Sequence, residues 1–325
     1  MKVIVTGGAG FIGSCIVRML NDRGIREIYI VDHIEATEKW KNMRNKTYVE
    51  YVNRDDFLSR LNEFKDVEFI FHMGACSSTT EKNFDFLYKN NFEYTKTLWN
   101  FCAENNIRFI YASSAATYGD GSHGFDDESD IKKLLPLNGY GYSKQLFDLW
   151  VEKELSKNNK CPPQYVGFKF FNVYGPNEYF KGSMASVIFQ TYKKIVETGE
   201  MGLFKSYNDG YKDGQQLRDF VYVKDICRVI EFFIDNPEKS GLFNLGTGHA
   251  RSFYDLASNT FTSMGLKPKI SFIEMPEILR EKYQYFTEAR MDKLKKIGYI
   301  YPFYTLEEGV KDYVQNYLMK NRETW

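Results

Sequence analysis

Apolar positions along the first half of the chain follow two alternating patterns. Short apolar runs at Val3–Thr6 and at residues 27–32, 69–73, 108–113 and 165–171 read as strands. Between them, stretches at 12–21, 83–104 and 141–155 read as helices. Strand, helix and strand in repetition imply right-handed crossovers and a parallel sheet with helices on both faces. After about residue 177 the pattern changes. A helix at 184–198 is followed by a polar loop at 208–216 with two glycines, and Phe243-Asn244-Leu245-Gly246 resembles a strand returning to the first unit. A last helix at 306–320 follows Tyr301-Pro302. The expected fold is α/β: a Rossmann-type doubly wound parallel sheet with a smaller C-terminal α/β substrate-binding domain. The expected division is 1–176, with returning segments near 219–250, for the dinucleotide and 177–325 mostly for the substrate. No long linker or repeat separates the parts, so a cleft between two tightly packed units is expected.

Composition narrows the function. A chain of 325 residues buries roughly three quarters of its unfolded surface without staples. Lys and Arg number 43, as do Asp and Glu, so the formal net charge is zero. That argues against a general nucleic-acid or membrane-surface binder, but not against a local pocket for a small anion. Cys15, Cys76, Cys102, Cys161 and Cys227 are widely spaced, and His33, His72, His123 and His249 are scattered, which argues against a metal site or a disulfide framework. No window approaches the ~20 apolar residues of a membrane span. The start, Lys2-Val3-Ile4-Val5, already reads as a strand, not as a signal peptide. A soluble, cytoplasmic protein with reduced thiols is expected.

The first chemical signal is Thr6-Gly7-Gly8-Ala9-Gly10-Phe11-Ile12-Gly13, between the first strand and the first helix. Glycines at 7, 10 and 13 let the backbone turn sharply, approach a pyrophosphate and pack helix on strand. The N–H groups at the helix start then bind phosphate. Asp32 ends the second strand, where a ribose hydroxyl is reached. Taken alone, Asp32 favours NAD, because a carboxylate repels a 2′-phosphate. His33, Lys39 and Arg54 are placed to offer positive charge to that phosphate, or are ordinary surface charges.

The second signal is Tyr140-Gly141-Tyr142-Ser143-Lys144, which puts Tyr140 and Lys144 one turn apart on one helix face. A phenol with a pKa near 10 is a poor base at neutrality. A neighbouring ammonium and a cationic nicotinamide ring favour the phenolate, making Tyr140 a proton acceptor and donor. Ser114, at the C-terminal end of the 108–113 strand, is the candidate for orienting the reacting alcohol.

Glycine turn, serine and Tyr-x-x-x-Lys, in this order, resemble the extended short-chain dehydrogenases/reductases that act on nucleotide sugars. The segments Gly74-Ala75-Cys76-Ser77-Ser78-Thr79-Thr80, Phe171-Asn172-Val173-Tyr174-Gly175-Pro176, Lys181-Gly182-Ser183-Met184-Ala185-Ser186-Val187 and Arg218-Asp219-Phe220-Val221-Tyr222-Val223 narrow the resemblance. They are similar to the branch that epimerises ADP-glycero-manno-heptose at C6 for the lipopolysaccharide inner core. The resemblance implies oxidation of C6 to a ketone and re-reduction on its other face, with the hydride held by the nicotinamide. It implies two acid/base groups, Tyr140 and Lys181. It places the cofactor, NADP by the family's preference with NAD as the alternative, against Phe11, Ile12, Asp32, His33, Lys39, Arg54, Met73, Gly74, Ala75, Cys76, Ser77, Asn90, Lys144 and Val173, with Lys181 at its edge. It places the sugar nucleotide against Asn172, Ser183, Phe204, Lys205, Ser206, Tyr207, Arg218 and Tyr283. Gln190 stands where many relatives carry a substrate-contacting histidine. Arg218 suits a diphosphate, with a salt bridge to a neighbouring carboxylate as the competing role. A homo-oligomer is implied as well.

Two other functions compete. A hexose 4-epimerase on the same scaffold needs a single base, against which Lys181-Gly182-Ser183-Met184-Ala185 argues. A non-catalytic dinucleotide sensor keeps the glycine turn but typically loses Tyr-x-x-x-Lys, which this chain retains.

Overall fold

The computed structural model describes residues 1–280 and 283–325. Its strands are β1 (Val3–Thr6), β2 (Ile28–Asp32), β3 (Glu50–Asn53), β4 (Phe69–His72), β5 (Arg108–Ser114), β6 (Tyr165–Phe170), β7 (Asn172–Tyr174), β8 (Met201–Phe204), β9 (Leu217–Tyr222), β10 (Gly241–Leu245), β11 (Ala250–Ser252) and β12 (Ile270–Ile273). The longer helices are α1 (Phe11–Asp22), α2 (Tyr94–Asn105), α3 (Gly139–Ser156), α4 (Val187–Thr198), α5 (Val223–Asp235), α6 (Phe253–Ser263) and α7 (Leu306–Tyr313).

One large sheet has the order β3-β2-β1-β4-β5-β6-β10, with every neighbouring pair parallel. Alternate residues of its strands feed two separate cores, as a period of two requires. Val3 and Val5 of β1 pack with Cys15, Ile16 and Leu20 of α1 and Ile226, Val229 and Phe233 of α5. Ile4, between them, packs on the other face with Leu98 and Trp99 of α2 and Phe147 and Val151 of α3. Covered on both faces, the strands carry unbroken apolar runs. The chain winds outward from β1 to β3, then returns past β1 to β4. That reversal opens a crevice at the strands' C-terminal ends.

The smaller sheets are β11-β9-β7 and β12-β8. Of the 219–250 stretch expected to return, only β10 enters the large sheet, pairing with β6; β9 stays in the small sheet, parallel to β7. The helix expected over 83–104 is interrupted by a π segment at Tyr88–Glu93. The helix expected from 184 starts at Val187, where the Ser186 side chain accepts the Phe189 N–H and caps it. The last helix gives way after Tyr313 to a π turn at Val314–Leu318. β3, a four-residue strand at the sheet edge, carries too few apolar positions to announce itself. No helix among the described residues is long and apolar enough to cross a membrane.

Candidate active site

The glycine turn connects β1 to α1 at the crevice. Gly7 has φ 67°, and a Cβ there would lie 2.7 Å from the Gly74 nitrogen. A Cβ on Gly13 would lie 2.1 Å from the Gly7 carbonyl oxygen. Both positions therefore exclude a side chain, and α1 starts hard against the turn. Among the described residues no side chain caps α1, which leaves its first-turn N–H groups suited to an anion. Phe11, Ile12 and Gly13 line a cleft of about 460 Å³.

Gly7, Gly10, Asp32, His33, Lys39, Arg54, Met73, Gly74, Ala75, Ser77, Asn90 and Lys181 line the same cleft, so it gathers most of the expected cofactor residues. Asp32 is fully engaged. One carboxylate oxygen accepts the Ala9 N–H at 3.0 Å; the other accepts the His33 N–H at 2.7 Å and pairs with Lys39 Nζ at 2.9 Å. Lys39 offsets the charge that on sequence grounds repels a 2′-phosphate. Arg54 reaches Asn90 Oδ1 at 3.2 Å and pairs with Asp55 at 2.9 Å. The turn, the engaged acid and the uncapped helix start fit a dinucleotide.

Cys76, Lys144 and Val173 do not line that cleft. Asn91, in the π segment, accepts the Cys76 N–H at 2.8 Å, and its amide donates to the Cys76 carbonyl and to Ser143 Oγ, both at 3.0 Å. It thereby ties the 74–78 loop to α3. Asn138 caps α3 by accepting the Gly141 N–H at 2.8 Å. Burial pushes the Tyr140 phenol above its usual pKa, and a hydrogen bond with Ser114 pulls it back. Burial pushes the Lys144 ammonium down to about 8. Lys144 donates to the Ala112 carbonyl at 2.9 Å. The ammonium and the cationic nicotinamide ring expected to favour the phenolate therefore act against burial, which Ser114 already opposes. Behind this face, Asp148 of α3 accepts from Ser113 Oγ at 2.7 Å and pairs with Lys169 of β6 at 2.8 Å, both side chains buried.

Lys181 lies in a 3-10 segment, Tyr179–Met184, with its ammonium 5.5 Å from the centre of the Phe11 ring. Burial lowers its pKa, opposed by Glu178.

The sequence profile described as the NAD dependent epimerase/dehydratase family matches residues 3–246. The chain belongs to that family. Family members differ in substrate, and two comparisons bear on this. A Fusobacterium nucleatum protein named ADP-L-glycero-D-manno-heptose-6-epimerase is 52% identical, with 98% of each chain covered. The crystal structure of the Helicobacter pylori enzyme of the same name has a TM-score of 0.78 at 28% identity, covering 97% of this chain and 95% of that one. A UDP-N-acetylglucosamine 4-epimerase from Methanobrevibacter ruminantium reaches a TM-score of 0.81 at 24% identity, with 98% of each chain covered. That likeness establishes the fold alone.

In the small sheet, Arg218 of β9 is buried, and burial lowers its pKa. Its guanidinium lies 5.3 Å from the Tyr283 ring centre and 5.6 Å from that of Phe253, and it donates to the carbonyls of Leu217 and Gln284. Among the described residues it has no carboxylate partner. Tyr285 links Tyr283, at 5.3 Å between rings, to the Tyr207 N–H, which donates to its hydroxyl at 3.1 Å. Phe204 ends β8, Lys205 pairs with Glu274 at 2.6 Å, and the Ser206 N–H donates to Asp213 at 2.7 Å. Asn172 and Ser183 are exposed. Gln190 donates its amide to the Gly182 carbonyl at 2.6 Å, so it steadies the Lys181 turn.

Sequence reasoning missed Tyr94, Phe180 and Met184, which also line the cofactor cleft. Phe180 and Met184 flank Lys181 in sequence and were within reach of the same signal. Tyr94 was not, because one aromatic on a helix face reads as core.

Proposed function

We propose that the chain converts ADP-D-glycero-D-manno-heptose to ADP-L-glycero-D-manno-heptose by inverting C6 through a 6-keto intermediate, using NADP. The observation that carries this reading is Lys181, a partly buried lysine lining the cofactor cleft, in a chain 52% identical over its length to a protein of that name. The product would supply lipopolysaccharide inner-core heptose.

The cofactor's phosphates would meet the N–H groups of Phe11, Ile12 and Gly13, and Asp32 would meet its ribose. Lys39 and Arg54 support NADP over NAD, because Lys39 offsets the Asp32 charge that would repel a 2′-phosphate and both cations line that end of the cleft. The nicotinamide, when bound, supplies the acceptor and then the donor of the C6 hydride. Tyr140, with Ser114 orienting the hydroxyl, takes the proton of the C6 hydroxyl oxygen as the ketone forms and returns it on reduction, for one epimer. C6 lies outside the sugar ring, so rotation about one bond presents its other face and moves the oxygen. Lys181 then serves the proton at the second oxygen position, helped by the burial that lowers its pKa. Arg218, stacked on Tyr283 and without a carboxylate partner among the described residues, binds the diphosphate. The same proposal includes the division into a dinucleotide unit, 1–176 with segments from 219–250, and a substrate unit in 177–325. It also includes a cytoplasmic location and a homo-oligomer.

The test is incubation of purified protein and NADP with ADP-D-glycero-D-manno-heptose, following C6 by NMR. A mixture of C6 epimers without accumulation of reduced cofactor is expected. No conversion, with epimerisation of a UDP-hexose instead, overturns the heptose assignment and leaves the Tyr140 chemistry standing.

A further inference from the structure

Two polar residues with no solvent exposure, Asn177 and Glu178, precede Lys181 and have no part in the chemistry above. Asn177 has φ 77°, a left-handed conformation that asparagine tolerates better than most side chains. Its amide donates to Ser14 Oγ at 2.9 Å and to the Trp325 carbonyl at 3.2 Å, while its Oδ1 accepts the Trp325 N–H at 2.9 Å. Its own carbonyl accepts from Asn42 Nδ2 at 3.0 Å, and that same amide donates to the Ala9 carbonyl at 3.0 Å. Asn177 is thus tied to the glycine turn, to α1 and to the 325 end of the chain at once.

Glu178 ties the other direction. Its carboxylate accepts the Ser186 N–H at 2.5 Å, Ser186 Oγ at 2.6 Å and, at 3.4 Å, the Gly175 N–H. Gly175 and Ser186 bracket the Lys181 turn, so one side chain closes it from both ends. Within the turn, the Lys181 N–H donates to the Glu178 carbonyl at 3.0 Å, and Gly182 turns the chain at φ 55°. A neutral amide could close such a loop. Burying a carboxylate costs several kcal/mol unless a cation compensates it. No lysine or arginine forms an ion pair with Glu178 among the described residues, and the cation that acts on it is Lys181.

We propose that Asn177 and Glu178 are the positioning residues of Lys181: the Asn177 side chain holds the start of its turn against α1 and Trp325, and Glu178 closes that turn from both ends with a carboxylate. This inference rests on the reading of Lys181 as the second acid/base group. The Tyr179 and Tyr313 phenols also face Glu178. Asp32, His33, Lys39 and Arg54 line the cleft that Lys181 enters. Burial raises the Glu178 carboxyl and lowers the Lys181 ammonium, and each group opposes the other's shift.

The experiment compares Glu178→Gln and Asn177→Ala, each alone and combined with Lys181→Met, on the purified full chain with NADP and the ADP-heptose. Each single change is expected to lower kcat about tenfold at unchanged KM, because a displaced acid/base group loses alignment and not substrate affinity. In Glu178→Gln the kcat pH limb reporting Lys181 moves to lower pH by about one unit, since the charge favouring the ammonium is gone. In the Lys181→Met background neither change lowers the residual rate further. Equal losses with and without Lys181, or a limb that stays in place, overturn the inference. If Lys181→Met itself epimerises at the wild-type rate, the two-base reading fails, a result visible without either positioning variant. Should Glu178→Gln not fold, Ser186→Ala removes one donor to the same carboxylate. Its kcat is then expected to fall in the wild-type background alone, and an equal fall in both backgrounds overturns the inference.

Discussion

Lys39 shows how one residue changes the meaning of another. Asp32 at the end of β2 is by itself a signature for a free ribose hydroxyl, yet its second oxygen pairs with Lys39 at 2.9 Å. Lys39→Ala is expected to weaken NADP binding about tenfold, the order of one charge-assisted hydrogen bond, and NAD binding far less. Fluorescence titration with each cofactor measures both; equal losses would separate Lys39 from the 2′-phosphate. Lys144 makes a pH prediction. Its folded pKa is lowered to about 8, so the ammonium is present below that pH and lost above it. kcat/KM, which reports the free enzyme, is expected to fall as pH rises through about 8. Lys144→Arg, which stays charged, moves that limb upward if the variant remains active. Persistence of the same limb in that variant would assign it to another group. At this scale Asp32 was legible as a cleft residue, and Tyr140 and Lys144 as neighbours one turn apart on a helix, because spacing alone sets both. Asn177 and Glu178 were not, since an Asn-Glu pair after a proline reads as an ordinary turn until its partners are known.

At the scale of elements, α3 is joined to the sheet by more than apolar packing. Asp148 on α3, Lys169 on β6, Ser113 on β5 and Thr117 after it form one buried polar group, with Lys169 Nζ 2.7 Å from Thr117 Oγ1. The group registers the helix bearing Tyr140 and Lys144 against the strand bearing Ser114. Lys169→Met leaves Asp148 buried without its cation, and a loss of about 3–5 kcal/mol is expected from urea unfolding. Replacing both, Asp148→Leu with Lys169→Met, is expected to recover most of it, because no uncompensated charge remains. Equal instability of the single and double variants would mean the pair is not electrostatically coupled. The π segment at Tyr88–Glu93 is the other element-scale device, since the extra residue in its turn brings Asn90 to the cofactor cleft and Asn91 to Cys76 and Ser143. Periodicity over 83–104 predicted the helix and not its bulge, because both carry nearly the same apolar stripe.

At the scale of the whole molecule, the cofactor cleft is bounded on one side by the β1–α1 turn and on the other by the Phe180–Met184 segment. A ligand held there contacts both and binds only the folded chain. NADP at about 100 times its Kd is therefore expected to stabilise the protein by about 2.7 kcal/mol, read as a rise in thermal midpoint. No rise would mean that NADP does not bind the folded chain in preference to the unfolded one. The sequence by itself determined the parallel sheet, the glycine turn and the Tyr-x-x-x-Lys helix, because each depends on contacts within a few residues or on a local apolar period. Only the tertiary structure decided that Lys39 pairs with Asp32, that Ser114 opposes the burial of Tyr140, and that Asn177 and Glu178 brace the Lys181 turn. Those are matters of charge, desolvation and hydrogen bonding between segments far apart in the chain, and such terms are set by where the fold places groups and not by their order.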